Sequence, residues 1–182
     1  CGLPYHIGGV ITERDRLLVQ TPESLKARFN IDVRVRNEVT RIDRERKTVS
    51  VRDLERGGEY EISYDALILS PGAEPIRPPL PGIDLPGVLT LRSLEDMDAI
   101  KKAADAAAGR RAIIVGGGYI GLEMAEALRD RSLAVTIVEL THQVMGPLDI
   151  EMATPLHHEL RRHGVDLRLG ASVKGFEAKN GG

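Results

Sequence analysis

Glycine spacing marks one stretch of the chain as a place where a phosphate could bind. The segment Gly116–Gly121 reads G-G-G-Y-I-G and fits G-x-G-x-x-G, between an apolar run and a stretch of helical periodicity. Gly116 permits a sharp turn, Gly118 lets a pyrophosphate approach the backbone, and Gly121 lets helix and strand pack closely. The N–H groups at the helix start attract negative charge. The pattern predicts a dinucleotide-binding turn, with a ligand-free glycine turn as the alternative.

An acidic residue, Glu139, ends the next predicted strand about 20 residues further on. A carboxylate in this place accepts a hydrogen bond from a ribose 2′-hydroxyl and repels a 2′-phosphate. The four residues that follow, Leu140–Gln143, include neither Arg nor Lys to hold such a phosphate. NADH is therefore favoured over NADPH.

The only cysteine is Cys1, so the chain can form no internal disulfide. Because translation starts with Met, a first residue of this type indicates that the chain is a fragment or has lost residues upstream. A mature bacterial lipoprotein also begins with Cys and is the alternative. However, Gly2–Tyr5 is apolar and compact, whereas a lipoprotein usually continues with a polar tether.

The amino-acid composition limits the classes of partner that we expect for this protein. The 182 residues are 42% hydrophobic and 29% charged, with a formal net charge of −2, as in ordinary globular proteins. Mixed charge of this kind gives no electrostatic reason to expect nucleic acid or an anionic membrane as partner. No apolar run approaches the roughly 18 residues that span a bilayer, and no secretory signal is visible. We expect a cytoplasmic protein.

The elements that position the glycine turn alternate between helix and strand. Ser93 is suited to cap a helix that ends near Gly109, and apolar runs predict strands over 112–115, 134–138 and 165–169. Helices of period 3.6 fill the gaps, and Pro155 predicts that the last one starts late, with Thr154 as its cap. The order β-α-β-α-β implies a parallel sheet with right-handed crossovers.

The sequence of the first half predicts shorter helices and strands. Thr21 and Pro22 open a helix to about Phe29. Alternating apolar residues predict strands over 31–35 and 49–51, with turns at 43–47 and 57–58, and the run 66–69 predicts a strand buried on both faces. Six of the ten prolines fall between Pro71 and Pro86, which indicates an extended connection between the two halves.

These features together resemble the pyridine nucleotide–disulfide oxidoreductase family over essentially the whole chain. In that family an element like Leu69–Ala73 stands where the chain leaves an FAD domain, and the second dinucleotide turn lies in an inserted NAD domain. The resemblance implies an α/β fold of FAD/NAD(P)-binding Rossmann-like domains, three-layered, with a β-meander and truncated at both ends. Residues 1–88 would be part of the FAD domain and 89–182 part of the NAD domain.

The segment Cys1–Gly9 is most similar to the coenzyme A-disulfide reductase branch, especially forms with a rhodanese domain that handle CoA persulfides or polysulfides. Glutathione- and lipoamide-type reductases carry a second cysteine where this chain has His6. A single thiol stores its redox state as a mixed disulfide or as a sulfenic acid. The first is CoA-disulfide and persulfide chemistry, whereas the second belongs to NADH oxidases and peroxidases, which remain an alternative. A non-catalytic dinucleotide-binding module is a further alternative.

By resemblance, Cys1 is the catalytic thiol and Tyr5 lines the substrate pocket. Val39 would lie beside the FAD adenine through its backbone, Tyr119 would gate the flavin, and Glu123 would lie near nicotinamide and flavin. Without the family these three would be strand core, a helix-start aromatic and an exposed carboxylate. The full set of expected cofactor-binding residues is Val39, Ser70, Pro71, Gly72, Gly116, Gly117, Gly118, Tyr119, Ile120, Gly121, Glu123 and Glu139.

Three histidines, His157, His158 and His163, lack metal-ligand spacing, so we expect a solvated helix and no metal. His6 is interpreted as a packing or solvent-facing residue.

The resemblance places the first FAD turn upstream of Cys1 and a dimerisation domain after Gly182. It implies FAD, NADH and a small-molecule disulfide or persulfide, with CoA as substrate or adduct, in a homodimeric whole protein. The piece alone is expected to be inactive.

Overall fold

The computed structural model describes residues 2–107 and 110–178. One compact unit is Leu18–Ala73, and the other combines the residues up to Leu17 with those from Glu74 onward. The predicted domain boundary at residue 88 concerns the family's domains and stays a prediction. The described helices are α1 (Leu3–Gly8), α2 (Pro22–Phe29), α3 (Leu94–Ala106), α4 (Tyr119–Asp130) and α5 (Ile150–Arg162), with a 3-10 helix at Arg14–Leu17. The strands are β1 (Asn37–Asp43), β2 (Thr48–Asp53), β3 (Glu59–Ser63), β4 (Arg111–Val115), β5 (Ala134–Val138) and β6 (Asp166–Arg168).

Helix α2 begins where its sequence predicts. The Thr21 hydroxyl accepts a hydrogen bond from the Ser24 N–H at 3.2 Å, and the Ser24 hydroxyl accepts one from the Thr21 N–H at 2.9 Å. Pro22 occupies the first turn, where its missing N–H removes no helical bond. The helix ends at Asn30, whose φ of 56° is left-handed. The predicted helix is confirmed.

Strands β1, β2 and β3 form an antiparallel meander in which β2 is central. Val51 lies opposite Val39 on one side and Tyr60 on the other. Val49 and Val51 are buried, and both predicted turns join neighbouring strands. Between Val39 and Arg41 the register shifts by a bulge. The predicted strand around Val49–Val51 is confirmed.

The strand predicted over 31–35 is wrong, because the ladder starts only at Asn37. Side chains hold this segment instead. Arg34 donates to the Tyr60 hydroxyl at 3.3 Å, and that hydroxyl donates to Asn37 at 2.7 Å. The Asn37 amide in turn donates to the Val35 carbonyl at 2.8 Å. Alternating apolar residues form a strand only where a neighbouring strand provides backbone hydrogen bonds. In this segment side-chain hydrogen bonds take the place of those backbone bonds.

The buried strand predicted over 66–69 is also wrong. These residues have no regular structure, and Ile68 is 87% exposed. A strand buried on both faces needs hydrogen-bonded neighbours. The preceding strand, β3, pairs with β2, and no strand within the described ranges pairs with 66–69. The proline-rich segment after it has no helix or strand, as its composition predicts.

The second half confirms the predicted β-α-β-α-β order, with β4, β5 and β6 parallel and in that order. Ser93 caps α3 through a reciprocal pair of bonds with Asp96. Ala106 ends that helix, and the predicted end near Gly109 lies outside the described residues. The core residues on the sheet and its helices are Met97, Met124, Ala125, Leu128, Val135, Ile137 and Val165. Strand β4 is less buried than predicted, since Ile113 and Val115 are exposed.

Helix α5 contradicts the prediction of a late start, because it begins at Ile150 and runs through Pro155. Proline inside a helix loses one backbone hydrogen bond and costs about 3 kcal/mol. Tertiary packing outweighs that cost, since Ala153 and His157 are both buried on this helix. Thr154 is not a cap, and its hydroxyl donates to the Ile150 carbonyl at 2.7 Å. Among the described helices, none combines the length and the apolar character that crossing a membrane requires.

Candidate dinucleotide site

The glycine turn joins the carboxyl end of β4 to the start of α4. Gly116 has a φ of 106°, a conformation that side-chain-bearing residues rarely adopt. Its N–H donates to the Val138 carbonyl of β5 at 2.9 Å, which ties the turn to the neighbouring strand. A Cβ atom on Gly121 would lie 2.1 Å from the Gly116 carbonyl oxygen. Glycine is therefore required at position 121 for the helix to approach the turn this closely.

The space beside Gly118 is open. Apart from its chain neighbours, no described residue has an atom within 4 Å of the place that a Gly118 Cβ would occupy. Gly118 is also the N-cap of α4, and within the described residues no side chain caps this helix. The first N–H groups of a helix have no intrahelical acceptor. Free donors, a positive dipole end and open space fit a pyrophosphate.

Glu139 lies beside this turn because of strand register. Val115 of β4 pairs with Val138 of β5, so the residues that follow them, Gly116 and Glu139, leave the sheet side by side. One carboxylate oxygen of Glu139, Oε2, accepts the Gly117 N–H at 2.7 Å. The other, Oε1, accepts the N–H and the hydroxyl of Thr141, both at 2.8 Å.

These bonds favour the ionised form of Glu139. Partial burial acts to raise its pKa, but hydrogen bonds from the N–H groups of Thr141 and Gly117 outweigh burial and hold the pKa below its ordinary value. The carboxylate is therefore ionised at neutral pH. Each carboxylate oxygen can accept about two hydrogen bonds. Oε1 already accepts two and Oε2 one, so Oε2 can still accept a hydroxyl.

A second set of contacts holds the other side of the turn, and sequence reasoning missed it. The Met145 N–H donates to the Gly117 carbonyl at 2.8 Å, and the Val144 N–H donates to His157 Nε2 at 3.1 Å. His157 is only 7% exposed, so the prediction of a solvated histidine is wrong for it. Ala153, His157 and Leu160 share the spacing of a buried helix face. That spacing in the sequence could have indicated that His157 is buried.

His158, His163 and His6 differ from His157. His158 on α5 and His163, which directly follows that helix, are exposed as predicted, and His163 Nε2 lies 2.8 Å from Glu159. His6 is buried, and its Nδ1 lies 2.7 Å from the Ile11 carbonyl oxygen. This geometry supports the packing interpretation of His6. Within the described ranges, no three His, Cys, Asp or Glu side chains are grouped to hold a metal ion.

Other predicted site residues lie in the same unit as the turn. Tyr119 and Ile120 are exposed at the start of α4, and Glu123 is half-buried one turn later. Tyr5 lies on α1, which packs on α4 where a Gly8 Cβ would come within 3.1 Å of the Ala127 Cα. Cys1 itself lies outside the described residues.

The residues predicted to contact FAD lie in the other unit, Leu18–Ala73. Val39 is half-exposed on β1, next to the bulge. Ser70, Pro71 and Gly72 follow β3 in an exposed segment without regular structure. Their roles stay predictions.

A glycine turn between parallel strand and helix, with an acidic residue ending the next strand, defines a dinucleotide-binding protein of the Rossmann-like class. The family described as pyridine nucleotide-disulphide oxidoreductase matches residues 1–181, and the chain belongs to this family. The resemblance inferred from sequence and the predicted α/β fold class are thereby confirmed.

Individual relatives agree with the family. An NADH oxidase of Methanocaldococcus jannaschii is 37% identical over 180 residues, which cover 98% of this chain and 40% of that protein. A coenzyme A disulfide reductase of Staphylococcus haemolyticus is 37% identical over 173 residues, 95% of this chain and 39% of that one. The crystal structure of reduced Bacillus anthracis CoADR-RHD superposes with a TM-score of 0.92 at 48% identity, over 97% of this chain and 32% of that one. The chain thus spans about two fifths of the length of the curated relatives it matches.

Proposed function

We propose that this chain belongs to a flavoprotein reductase that takes electrons from NADH and reduces a CoA disulfide, CoA persulfide or polysulfide through one cysteine. The observation that carries the proposal is the glycine turn, with free helix N–H groups on its open side and the Glu139 carboxylate on the other. In this proposal residues 1–88 belong to the FAD domain and 89–182 to the NAD domain. The whole protein is a cytoplasmic homodimer that needs neither nucleic acid nor membrane.

The NADH end of the reaction depends on α4 and Glu139. The pyrophosphate binds the N–H groups at the start of α4, and the free acceptor position of Glu139 Oε2 takes a ribose hydroxyl. Because Glu139 is ionised, it repels the extra phosphate of NADPH. In this proposal Tyr119, which is exposed at the first position of α4, gates the flavin and moves when nicotinamide enters, and Glu123 one turn later lies near nicotinamide and flavin.

Two features are available to contact FAD, namely the backbone next to Val39 and the segment Ser70–Gly72. The bulge after Val39 leaves one residue out of the ladder, which frees backbone polar groups at this place. Gly72 has a φ of 76° in an exposed segment with Ser70 and Pro71. These residues fit secondary contacts to FAD. When bound, FAD would supply two-electron transfer between the dinucleotide and the thiol.

The substrate end depends on Cys1. Its thiolate attacks one sulfur of the disulfide, forms a mixed disulfide with one half of the substrate, and releases the other half as a thiolate. Two electrons then return Cys1 to a thiolate and release the bound half. Tyr5, which follows on α1, lines this pocket in the proposal. With CoA as substrate, the oxidised resting form carries a CoA adduct on Cys1.

The similarity to an NADH oxidase favours a second candidate, in which Cys1 cycles through a sulfenic acid instead of a mixed disulfide. Both candidates need the same dinucleotide site. The candidates differ in what Cys1 reacts with, so measuring the reaction product distinguishes one candidate from the other.

The test uses the whole protein without oxygen, supplied with NADH and CoA disulfide, and measures thiol release. We expect about two thiols per NADH from the wild type and none from Cys1→Ser. Since hydride transfer takes place at the glycine-turn side, the flavin of Cys1→Ser should still bleach with NADH. Mass spectrometry of the oxidised wild type should find CoA on Cys1, released by a reductant.

A parallel assay supplies oxygen or peroxide in place of CoA disulfide. Consumption of either one there, with no thiol release in the oxygen-free assay and a sulfenic acid on Cys1, would favour the oxidase candidate. Full disulfide reduction by Cys1→Ser would contradict both. A protein that binds NADH but does neither reaction would be a non-catalytic module.

A further inference from the structure

We infer that His157 is a positioning residue for the dinucleotide: its neutral ring holds the Val144–Met145 corner, which fixes the Gly117 peptide. This inference rests on the proposed NADH-binding function and adds to it a residue that lies on α5, outside the glycine turn. It follows from a chain of three contacts.

The first contact is the bond from the Val144 N–H to His157 Nε2, 3.1 Å long. A ring nitrogen that accepts an N–H carries no proton, so the bond requires neutral His157 protonated on Nδ1. Val144 is fully buried. Without His157 its N–H would lack an acceptor in a place where an unpaired donor is costly.

The second contact is the corner itself. Met145 has a φ of 52°, a left-handed conformation that is uncommon outside glycine and needs support from its surroundings. Its carbonyl accepts the Leu148 N–H at 2.8 Å. The Val144 side chain packs against Gly117, because a Cβ there would lie 2.9 Å from Val144 Cγ1. The corner is therefore shaped to meet the glycine turn.

The third contact reaches the site. The Met145 N–H donates to the Gly117 carbonyl at 2.8 Å. That carbonyl and the Gly118 N–H belong to one planar trans peptide, in which the two groups point in opposite directions. Fixing the carbonyl toward Met145 thus directs the Gly118 N–H away from the corner. The space beside Gly118 is open, so His157 orients a donor of the proposed pyrophosphate site.

Protonation of His157 breaks this chain of contacts. Within the described residues, the ionisable groups that act on the ring are Arg161 and His158 of its own helix, and the loop after β5 meets it through the Val144 N–H. Burial lowers the pKa of His157, and the positive charges of Arg161 and His158 lower it further. The bond is therefore complete above the ordinary histidine pKa of about 6.5 and is lost as pH falls toward the lower folded value.

The experiment compares three variants of the whole protein by titration calorimetry with NADH. His157→Leu fills the buried space with an apolar side chain but removes the acceptor, and His157→Gln keeps an acceptor that does not titrate. His158→Leu changes the exposed neighbour and serves as the control. We expect His157→Leu to raise the NADH Kd about tenfold, as when one tenth of the molecules hold the competent turn. His157→Gln and the control should stay within about twofold of the wild type.

Two further readouts separate positioning from general stability. Hydrogen exchange at the amides of Val144 and Met145 should quicken in His157→Leu only. As the pH falls from 7.5 through the folded-state pKa of His157, which NMR titration of the ring measures, the wild-type Kd should rise, whereas His157→Gln should remove most of that rise. An unchanged Kd in His157→Leu, or an equal pH dependence in His157→Gln, overturns the role of His157. Failure of the wild type to bind NADH overturns the proposed function, and the inference with it.

Discussion

The two three-stranded sheets of this chain differ in what they build. The antiparallel meander β1–β2–β3 joins neighbours in sequence by short turns and buries Val49 and Val51. The parallel sheet β4–β5–β6 needs helical crossovers, and those helices supply its core. Of the two described sheets, only the parallel one brings the carboxyl ends of neighbouring strands to the same edge, where Gly116 and Glu139 meet. Parallel topology therefore creates the dinucleotide site.

The largest effect should come from the place where α4 touches the turn. A Cβ on Gly121 would lie 2.1 Å from the Gly116 carbonyl oxygen, so Gly121→Ala must displace backbone. We expect a loss of about 3 kcal/mol in the free energy of unfolding, together with loss of NADH binding. Urea unfolding followed by circular dichroism measures the first and calorimetry the second.

Gly118→Ala is the matched control, because the described residues leave its Cβ position free and its φ is −81°. It should cost less than about 1 kcal/mol of stability yet weaken NADH binding, since the methyl group enters the ligand's space. If Gly121→Ala unfolds no more easily than Gly118→Ala, the close approach of α4 to the turn is refuted.

The two sheets should respond differently to the same substitution of a buried valine. Val135 of β5 and Val51 of β2 are both buried valines. Helices pack around Val135, whereas Val51 lies outside the main core cluster. We expect Val135→Ala to lower the free energy of unfolding by about 2.5 kcal/mol and Val51→Ala by about 1 kcal/mol. Equal losses in urea unfolding would show that the meander packs as tightly as the parallel sheet.

The smallest effect concerns α5. Pro155 removes one helical hydrogen bond, and the helix persists because Ala153 and His157 anchor it. Pro155→Ala removes a cost of about 3 kcal/mol at an exposed position but gives the unfolded chain about 1 kcal/mol more conformational freedom. It should therefore raise the free energy of unfolding by about 2 kcal/mol. Thr154→Ala, the neighbouring exposed position, should change it by less than about 0.5 kcal/mol. A destabilised Pro155→Ala protein would mean that the proline ring itself contributes packing.

Local signals were sufficient where neighbours in sequence are also neighbours in space. The capped helices and the hairpin turns could be predicted for this reason. The β-α-β-α-β order followed from alternating periodicities, and the spacing after the glycine turn placed Glu139 at the end of the next strand. The apolar runs 31–35 and 66–69 failed because a strand depends on partners that periodicity does not reveal. His157 was missed because its acceptor role depends on a backbone N–H thirteen residues away.

The most direct test of the account is the ratio of kcat/KM for NADH to that for NADPH in the whole protein, measured for the wild type and Glu139→Arg. Glu126→Arg, an equal charge change on an exposed position of α4, is the control. An ionised Glu139 beside Gly117 should make the wild type prefer NADH at least tenfold, about 1.4 kcal/mol. Glu139→Arg should reverse the preference, and Glu126→Arg should leave it unchanged. A wild type that prefers NADPH, or a ratio that Glu139→Arg does not alter, would contradict the account.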